Sequence, residues 1–426
     1  MKILTGFLVC SLVLFGCDSG SDSSSDDREI GGNGGEGGQG GSDNQGGNDT
    51  LVGPECTDGV PVVQASNWAS LLDSPATALE IVWSGSEFGM LWLASEASSG
   101  LRPLMFARAS ADGELLGDAV MVGQTSASSH KLVFTGTRYI VTWVNGRTGD
   151  DPYDGIRVGV LNAEGALAET THDIDGTYNT TQLELVWDSM WGALLTYTRG
   201  SLGEGGLFSV VINEDGTLNE ENVLDSRSVS SFSSVFGDGA WAVAYAVRDD
   251  DLDNPVYLHL LDENGVVYDP EPISIGTKPL GRVHAAFAQG NYAIVWSGMN
   301  QEDRLLPMSV LLDGAAEIIG QPIIGIDADF AVVEDVAVAD DVGFVISWHG
   351  EIDSAPALGI QVMSVLGIPE SSVMMSLAPA QQYSQSRLSV HDGGLIKLFS
   401  TNDPSPQPLG YSEAVNVQVT TLEACD

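Results

Sequence analysis

Two clusters of aspartates are the residues of this 426-residue chain whose type and spacing could bind a metal ion. The first cluster is Asp150, Asp151 and Asp154, and the second is Asp249, Asp250, Asp251 and Asp253. Carboxylates this close repel each other unless a cation offsets their charge, and such oxygen ligands suit Ca²⁺ better than a transition metal. Neither cluster has EF-hand spacing, so two interpretations stay open: a calcium site and a merely acidic surface.

Catalytic motifs of the HExxH, GxSxG and P-loop types do not occur in the sequence. The histidines are scattered without metal-ligand spacing: His130, His172, His259, His284, His349 and His391. Residues 213–217 weakly resemble the sequence box of sialidases. They fall in an ordinary turn, so we interpret them as structural. The sequence therefore predicts no catalytic residue and, calcium apart, no cofactor. A buried carboxylate, an arginine and a tyrosine clustered in a central channel would instead indicate a hydrolase or lyase.

The cysteines indicate how the protein is exported and held. Four are present: Cys10, Cys17, Cys56 and Cys425. An apolar run of about a dozen residues follows Lys2, which is typical of a secretory signal and too short for a transmembrane helix. The run ends in Leu14-Phe15-Gly16-Cys17, which resembles the bacterial lipobox, where the signal is cut before the cysteine and its sulfur is lipidated. We therefore expect residues 1–16 to be a lipoprotein signal peptide and Cys17 to anchor the protein in a membrane.

A glycine-rich segment follows the lipidation site. Residues 18–54 consist mainly of Gly, Ser, Asn and Asp and have almost nothing to bury, so residues 17–54 are predicted to be a lipidated cysteine and a disordered tether. A GxGxxG pattern at 32–37 is not a dinucleotide-binding motif, because no strand precedes it and no helix follows it.

The charge of the chain excludes one class of partner. The formal net charge is −43, with 16 Lys and Arg against 59 Asp and Glu. Such a surface repels nucleic acid and anionic headgroups, so we expect no nucleic-acid partner and, if any, a cationic, protein or glycan ligand.

Residues 55–426 repeat one unit. Each copy contains an apolar strand, a tight turn and a second strand that carries an aromatic residue. These residues are Trp92, Trp143, Tyr197, Tyr245, Trp296, Trp348 and Phe399, at intervals of 51, 54, 48, 51, 52 and 51 residues. So regular a period indicates a repeat architecture.

A third strand, a turn and a short fourth strand complete each unit. Six units mark this turn with a glycine: Gly113, Gly165, Gly216, Gly265, Gly314 and Gly367. Four antiparallel strands in each of seven units predict an all-β fold, a seven-bladed β-propeller of four-stranded antiparallel blades.

The seventh unit lacks its own fourth strand, because the chain stops at Asp426. Thr57-Asp58-Gly59 supplies the missing turn signature, and residues 60–64 supply the missing strand, so the N-terminal strand is predicted to close the last blade. This closure would remove the open sheet edges. Cys56 and Cys425 would then lie side by side, and we predict a disulfide between them in the oxidising compartment outside the cytoplasm.

The repeated aromatic residues could form either a platform for sugar or the packing between blades. A residue that recurs at one strand position in every unit is most simply packing, so we predict that these side chains are buried. Trp68, Trp191 and Trp241 break the pattern and are expected to be candidates for exposure.

Long polar loops join the second and third strands. They cover residues 95–102, 145–155, 199–206, 248–255, 298–306, 349–359 and 401–414 and differ in every unit. In a four-stranded antiparallel blade, these loops and the connections to the next blade share one end, which we call the long-loop face. Both aspartate clusters belong to it. Variable loops on a rigid scaffold are where binding usually occurs.

The units resemble the propeller-type repeat lipoproteins of myxobacteria and related Gram-negative bacteria. Tyr139-Ile-Val-Thr-Trp143, Tyr292-Ala-Ile-Val-Trp296, the loop at 147–165 and the glycine-rich tether carry this resemblance. It implies the propeller architecture and an envelope address, and it brings no catalytic residues.

These observations favour a lipid-anchored, monomeric binding or scaffold protein of the cell envelope that acts without catalysis through its long-loop face. The anchor would lie in the outer membrane or on the periplasmic face of the inner membrane. The alternative is a propeller-type hydrolase or lyase that acts on glycans or peptides of the envelope.

Overall fold

The computed structural model describes most of the repeated region. The described residues are 63–64, 76–94, 101–111, 114–125, 127, 129–144, 155–167, 172–174, 180, 182–200, 205–248, 254–299, 304–320, 328–339, 343–352, 355–376, 382–391, 395–403 and 416–422. All of them belong to one compact unit, Gly53–Asp426. No helix among them is long and apolar enough to cross a membrane.

The secondary structure of these residues is built from β-strands. The first half contains β1 Val63–Gln64, β2 Ala76–Trp83, β3 Glu87–Ala94, β4 Arg102–Ser110, β5 Val120–Thr125, β6 His130–Phe134, β7 Arg138–Val144, β8 Ile156–Asn162, β9 His172–Ile174, β10 Leu183–Asp188, β11 Gly192–Arg199, β12 Gly206–Ile212 and β13 Asn222–Asp225. The second half contains β14 Val229–Gly237, β15 Ala240–Val247, β16 Val256–Leu261, β17 Ile273–Gly276, β18 Pro279–Ala288, β19 Asn291–Met299, β20 Leu305–Asp313, β21 Phe330–Ala339, β22 Gly343–Ile352, β23 Ala355–Met363, β24 Pro369–Ser376, β25 Gln382–His391, β26 Leu395–Asp403 and β27 Asn416–Leu422.

These strands form antiparallel sheets that follow the repeat. The groups β2–β5, β6–β9, β10–β13, β14–β17 and β21–β24 are four-stranded sheets in chain order, and β18–β20 form a sheet of three strands within the described residues. The remaining sheet has the order β1-β27-β26-β25, in which Val63 pairs with Leu422. The predicted all-β class and the four-stranded antiparallel unit are therefore confirmed.

The core lies between consecutive sheets. The second strand of a sheet is covered on both faces, so its sequence is mostly apolar rather than alternating. Every residue of β15 is buried, and β7 is buried from Tyr139 to Val144. One apolar cluster joins the second and third sheets through Ile140 and Leu195, and another joins the third and fourth through Leu194 and Val243.

The third turns share one hydrogen-bonded geometry. In the turn that starts at Asp262, the amide of Gly265 donates to the Asp262 carbonyl, and the Asp262 carboxylate accepts from the amides of Asn264 and Val266. The fourth residue of this turn has a positive φ, +77° at Gly265, which glycine adopts without strain. In the fifth unit that position is Ala316, with φ +61°, and Gly314, the glycine that marks this turn in the sequence, is the second residue of the turn.

The repeated aromatic side chains are buried as predicted wherever the structure describes them. Relative exposure is at most 2% for the six that it describes, namely Trp92, Trp143, Tyr197, Tyr245, Trp296 and Trp348. The indole N–H groups of the four tryptophans have no acceptor among the described residues. Their role is therefore packing. The side chain of Phe399 lies outside the described part.

One expectation about tryptophan exposure was wrong. Trp241 is fully buried because it is the second residue of β15, a strand covered on both faces. Trp191 is partly buried and packs edge-on against Trp241 and Phe236, with ring centroids 6.0 and 5.1 Å apart. Trp68 lies outside the described residues.

Candidate functional site

Most of the site residues predicted from the sequence lie outside the described residues. They are Cys17, Cys56 and Cys425 together with Asp150, Asp151, Asp154, Asp249, Asp250, Asp251 and Asp253. Of the histidines, His130 and His259 are buried, and His172, His284 and His349 are partly buried. Within the described ranges, no group of three or more His, Cys, Asp or Glu side chains is arranged to hold a metal ion.

The sialidase-like segment at residues 213–217 is a turn, as interpreted from the sequence. The amide of Gly216 donates to the Asn213 carbonyl, and the Asp215 carboxylate accepts from the amide and hydroxyl of Thr217. These hydrogen bonds lower the pKa of the exposed Asp215 carboxyl. The carboxylate therefore stabilises the turn.

A cavity of about 760 Å³ is enclosed by the first strands of the sheets. Every first strand contributes to its wall: β2, β6, β10, β14, β18, β21 and β25. We call it the central cavity. Its volume falls in the range of about 300–1,000 Å³ that is usual for small-molecule sites.

One register position of the first strands forms a ring of mostly polar residues around this cavity. The residue at this position pairs in each sheet with the residue just before the repeated aromatic position. The ring consists of Glu80, Lys131, Glu184, Ser233, His284, Asp335 and Leu388. Because all seven occupy equivalent backbone positions, the repeat brings side chains from distant parts of the sequence to one level of the cavity.

Lys131 joins three sheets within this ring. Its ammonium lies 3.2 Å from a carboxylate oxygen of Glu80 and 3.2 Å from one of Glu184, which belong to the sheets on either side. The three side chains are 15, 15 and 27% exposed, so the ion pairs are only partly screened by solvent. The cation offsets the repulsion between two carboxylates that face the same space.

Other polar side chains around the cavity satisfy backbone groups of the next sheet. The hydroxyls of Ser231 and Ser233 accept hydrogen bonds from the amides of Val283 and Ala285, at 2.8 and 3.1 Å. The Asp335 carboxylate accepts from the amide of Leu388 at 2.9 Å. The first strand is an edge strand whose backbone groups need partners, so these contacts fasten consecutive sheets together.

Two further features involve ionisable side chains: an ion pair on the sixth sheet and an arginine on the fifth. The carboxylate of Glu334 is 2.6 Å from Nδ1 of His349, which belongs to the neighbouring strand β22. Arg282 lies on β18, lines the central cavity and has an exposed side chain.

Carboxylate, arginine and tyrosine meet at three places in the described part of the chain. The first trio is Glu87, Arg108 and Tyr139, the second is Glu221, Arg199 and Tyr197, and the third is Asp225, Arg227 and Tyr245. None of these nine residues lines the central cavity. The trios therefore do not match the arrangement that would indicate a hydrolase or lyase. Because they recur in different sheets, we interpret them as contacts that fasten strands together, and we call them clasps.

The third trio contains the most buried of the three carboxylates. Arg227 donates to both carboxylate oxygens of Asp225, and the hydroxyl of the fully buried Tyr245 donates to the same carboxylate at 3.0 Å. Burial opposes ionisation of Asp225, but the hydrogen bonds from Arg227 and Tyr245 outweigh it and hold the pKa of this carboxyl below its ordinary value. Burial also raises the pKa of Tyr245, and the charge of Asp225 raises it further.

Asp225 occupies a position that is glycine in two other sheets. Gly123, Asp225 and Gly276 each follow a one-residue bulge at the same register of the fourth strand. A Cβ atom added at Gly123 would lie 2.9 Å from the ring of Trp143, and one added at Gly276 would lie 2.6 Å from Trp296. At this register of the fourth strand, glycine therefore lies against a tryptophan of the next sheet, whereas aspartate lies against a tyrosine.

Sequence reasoning missed both the ring and these clasps. The available signal was the recurrence of Glu80, Lys131 and Glu184 at intervals of 51 and 53 residues inside otherwise apolar strands. A charged residue in an apolar strand is costly unless it is paired, so this spacing could have predicted the ion pairs.

No protein-family profile and no curated protein sequence matches the chain. Several solved structures are similar to the chain. Polysaccharide lyase Uly1 is similar with a TM-score of 0.54 and 11% identity, over 81% of this chain and 90% of that one. The propeller domain of the Trilobed protease from Pyrococcus furiosus has a TM-score of 0.48 and 10% identity, over 80% and 99% of the two chains. The Dos1 propeller has a TM-score of 0.45 and 11% identity, over 86% and 96%. At 11% identity the likeness to Uly1 shows the fold alone.

Proposed function

We propose that this β-propeller is a non-enzymatic binding or scaffold protein of the cell envelope, monomeric and anchored by lipid on Cys17. The lipobox-like sequence and the tether support the anchor, which would lie in the outer membrane or on the periplasmic face of the inner membrane. The long-loop face would carry the ligand, because variable loops on a rigid scaffold commonly bind.

The scaffold would be a seven-bladed ring closed by the N-terminal strand. Two observations support this proposal. The first strands contact one another in the order β2, β6, β10, β14, β18, β21, β25, and β25 in turn contacts β2. The short strand β1 pairs with β27 at the outer edge of the last sheet. A disulfide between Cys56 and Cys425 would then lock the two ends of the chain together.

The observation that carries the non-enzymatic proposal is the engagement of the polar side chains in the central cavity. Lys131 forms ion pairs with two carboxylates. Asp335 and Ser231 each accept a hydrogen bond from a backbone amide of the next sheet. A general acid, base or nucleophile has to reach a substrate and exchange protons with it. Side chains that fasten the sheets together are poorly placed for that work and well placed to make the scaffold rigid.

Ligand retention tests this function. Full-length protein carrying Cys17→Ser is immobilised, exposed to envelope extract, and compared with a variant in which residues 147–154 and 249–253 are replaced by short Gly-Ser loops. We expect the loop variant to melt at an unchanged temperature and to lose the retained component. Glu263→Ser, in a turn at the opposite end of a blade, is the control that should retain it. Equal retention by the loop variant would overturn the assignment to the long-loop face.

A further inference from the structure

Exposed apolar side chains are concentrated at the end of the blades opposite the long-loop face. This end carries the first and third turns, and we call it the short-turn face. Among the described residues, fourteen large apolar side chains are exposed, and ten of them lie in these turns, namely Leu115, Leu116, Leu167, Met190, Val266, Tyr268, Ile318, Ile319, Leu366 and Ile368. Three others lie on fourth strands, and Leu280 on β18 is near the long-loop end. Single exposed apolar residues are ordinary, whereas their concentration on one face indicates an interaction surface.

Carboxylates divide the short-turn face into two parts. The segments between the third and fourth strands of the third and fourth sheets contain four carboxylates each, namely Glu214, Asp215, Glu220 and Glu221, and Asp262, Glu263, Asp269 and Glu271. The corresponding segment of the sixth sheet, residues 364–368, contains none. In the fifth sheet, residues 314–320 contain only Glu317. Ile318, Ile319, Leu366 and Ile368 therefore form a nearly uncharged part of this face, which we call the apolar edge.

The turn of the sixth sheet keeps the geometry of the others without a charge. Ser364 occupies the position of Asp262, and its hydroxyl accepts a hydrogen bond from the amide of Ile368 at 3.2 Å. The amide of Gly367 donates to the Ser364 carbonyl at 2.8 Å. The turn therefore holds Leu366 and Ile368 in fixed positions, with exposures of 66 and 59%.

The chain enters the propeller beside the apolar edge. Val63, the first residue of β1, pairs with Leu422, the last residue of β27. Since β27 is the third strand of its sheet and third strands end at the short-turn face, the chain reaches Val63 from this face. The sheet that contains β1 is next to the sixth sheet, because β25 contacts β21. The segment that leads from Cys17 therefore joins the propeller next to Leu366 and Ile368.

This point of attachment favours a lipid surface as the occupant. Residues 18–54 are 37 residues rich in glycine, and a chain of this kind has an end-to-end distance of roughly 30–35 Å. A lipid on Cys17 would hold the propeller within that distance of the bilayer, at a high effective concentration, so that a few apolar contacts suffice for docking. A second copy has no such advantage and carries another net charge of −43. A zwitterionic surface has no net charge to repel the protein.

We propose that the apolar edge docks on a zwitterionic bilayer, the one that holds the Cys17 anchor. Ile318, Ile319, Leu366 and Ile368 enter the headgroup region, where apolar side chains leave water. This inference rests on the proposed lipid anchoring and adds the orientation of the anchored propeller. The long-loop face then points away from the membrane, where a ligand can reach its loops.

Tryptophan quenching by brominated lipid tests the inference on the full-length protein in phosphatidylethanolamine–phosphatidylcholine vesicles. Acylation of Cys17 is first confirmed by mass. Three residues of similar exposure are replaced one at a time: Leu366 at 66%, Tyr268 at 59% and Leu280 at 58%. Brominated acyl chains quench an indole that reaches the bilayer. We expect Leu366→Trp to be quenched beyond the unsubstituted protein. Tyr268→Trp, in the carboxylate-rich part of the face, and Leu280→Trp, near the long-loop end, should show no added quenching.

Removal of apolar side chains from the neighbouring sheet provides the second measurement. In the Leu366→Trp protein, Ile318→Ser with Ile319→Ser should lower the ratio of docked to undocked protein about tenfold, because two half-exposed apolar side chains no longer leave water. Val266→Ser with Tyr268→Ser is the matched control in the fourth sheet, and we expect it to change this ratio less than twofold. All four side chains are exposed, so the melting temperatures should stay equal.

The outcomes separate docking from anchoring. In acylated protein, equal quenching at Leu366→Trp and either of the other two reporters, or equal losses in the two serine variants, would overturn the docking. An emission shift of Leu366→Trp that follows protein concentration rather than brominated lipid would indicate a second copy and would overturn it as well. Absence of the acylated mass would overturn the proposed anchor, and the docking with it.

Discussion

Exchanging Asp225 and Tyr245 for the glycine and tryptophan of other sheets tests how the blades are fastened. Asp225→Gly removes the acceptor of the fully buried Tyr245 hydroxyl, and Tyr245→Trp places a larger ring against a carboxylate. The double variant reproduces the pairs Gly123 with Trp143 and Gly276 with Trp296. We therefore expect the two changes to compensate each other.

The contacts set the size of the effect. Leaving a buried hydroxyl without a partner costs about 1–3 kcal/mol, and a glycine inside a strand costs about 0.5–1 kcal/mol more. Overpacking by Tyr245→Trp costs about 1–3 kcal/mol. The side chain of Arg227 is 44% exposed, so water replaces its lost partner at little cost. In the double variant the unpartnered hydroxyl and the clash both disappear, so the coupling free energy should be at least about 2 kcal/mol, the sum of the lower ends of these two costs.

Denaturant unfolding of all four proteins, with equal m-values required, measures this coupling. Additive effects of the two single changes would refute the argument that the aspartate and the tyrosine act as one unit.

The pH dependence of the same clasp provides a second readout. The pKa of Asp225 is lowered in the folded state, so its contribution to stability is present above about pH 4, the range of its ordinary pKa, and is lost as the pH falls through the folded value. The stability difference between the protein and Asp225→Asn should therefore shrink on acidification. A difference that is constant with pH would contradict the assigned cause.

Three further predictions concern the segments that flank or connect the blades. Cys17→Ser should leave an unlipidated precursor, and detection of the mature acylated mass in this variant would contradict the lipobox assignment. Non-reducing peptide mapping should find Cys56 linked to Cys425, and free thiols at both positions would exclude the closing disulfide. If the loop at residues 249–253 binds calcium, millimolar Ca²⁺ should raise the melting temperature more than equal Mg²⁺, and Asp250→Asn with Asp251→Asn should abolish that difference; identical shifts would leave only an acidic surface.

The architecture could be predicted from the sequence because one unit repeats along the chain. A strand that is buried on both faces needs apolar residues throughout, and the aromatic position recurs because every blade packs against the next in the same way. The same reasoning failed for Trp241, since a residue next to a short turn was taken to be exposed although it already belongs to a covered strand.

The polar contacts between blades were harder to predict. Lys131 contacts Glu80 and Glu184 only because three strands from separate units occupy one register around a cavity. The carboxylate of Asp225 accepts a hydrogen bond from Tyr245 of the next sheet, at a bulge that shifts the register by one residue. Such contacts depend on the ring geometry and on local irregularities, which apolar periodicity does not encode.

Mass spectrometry of envelope glycan after prolonged incubation with an equimolar amount of the full-length protein tests the central claim, the proposed non-enzymatic function, most directly. If the proposed non-enzymatic function is right, the glycan recovered from the protein should have an unchanged mass, because Lys131, Ser231, Ser233 and Asp335 are engaged in contacts between neighbouring sheets. The appearance of shortened chains, with new reducing ends or unsaturated sugars that are not formed without the protein, would contradict the account and identify a hydrolase or lyase.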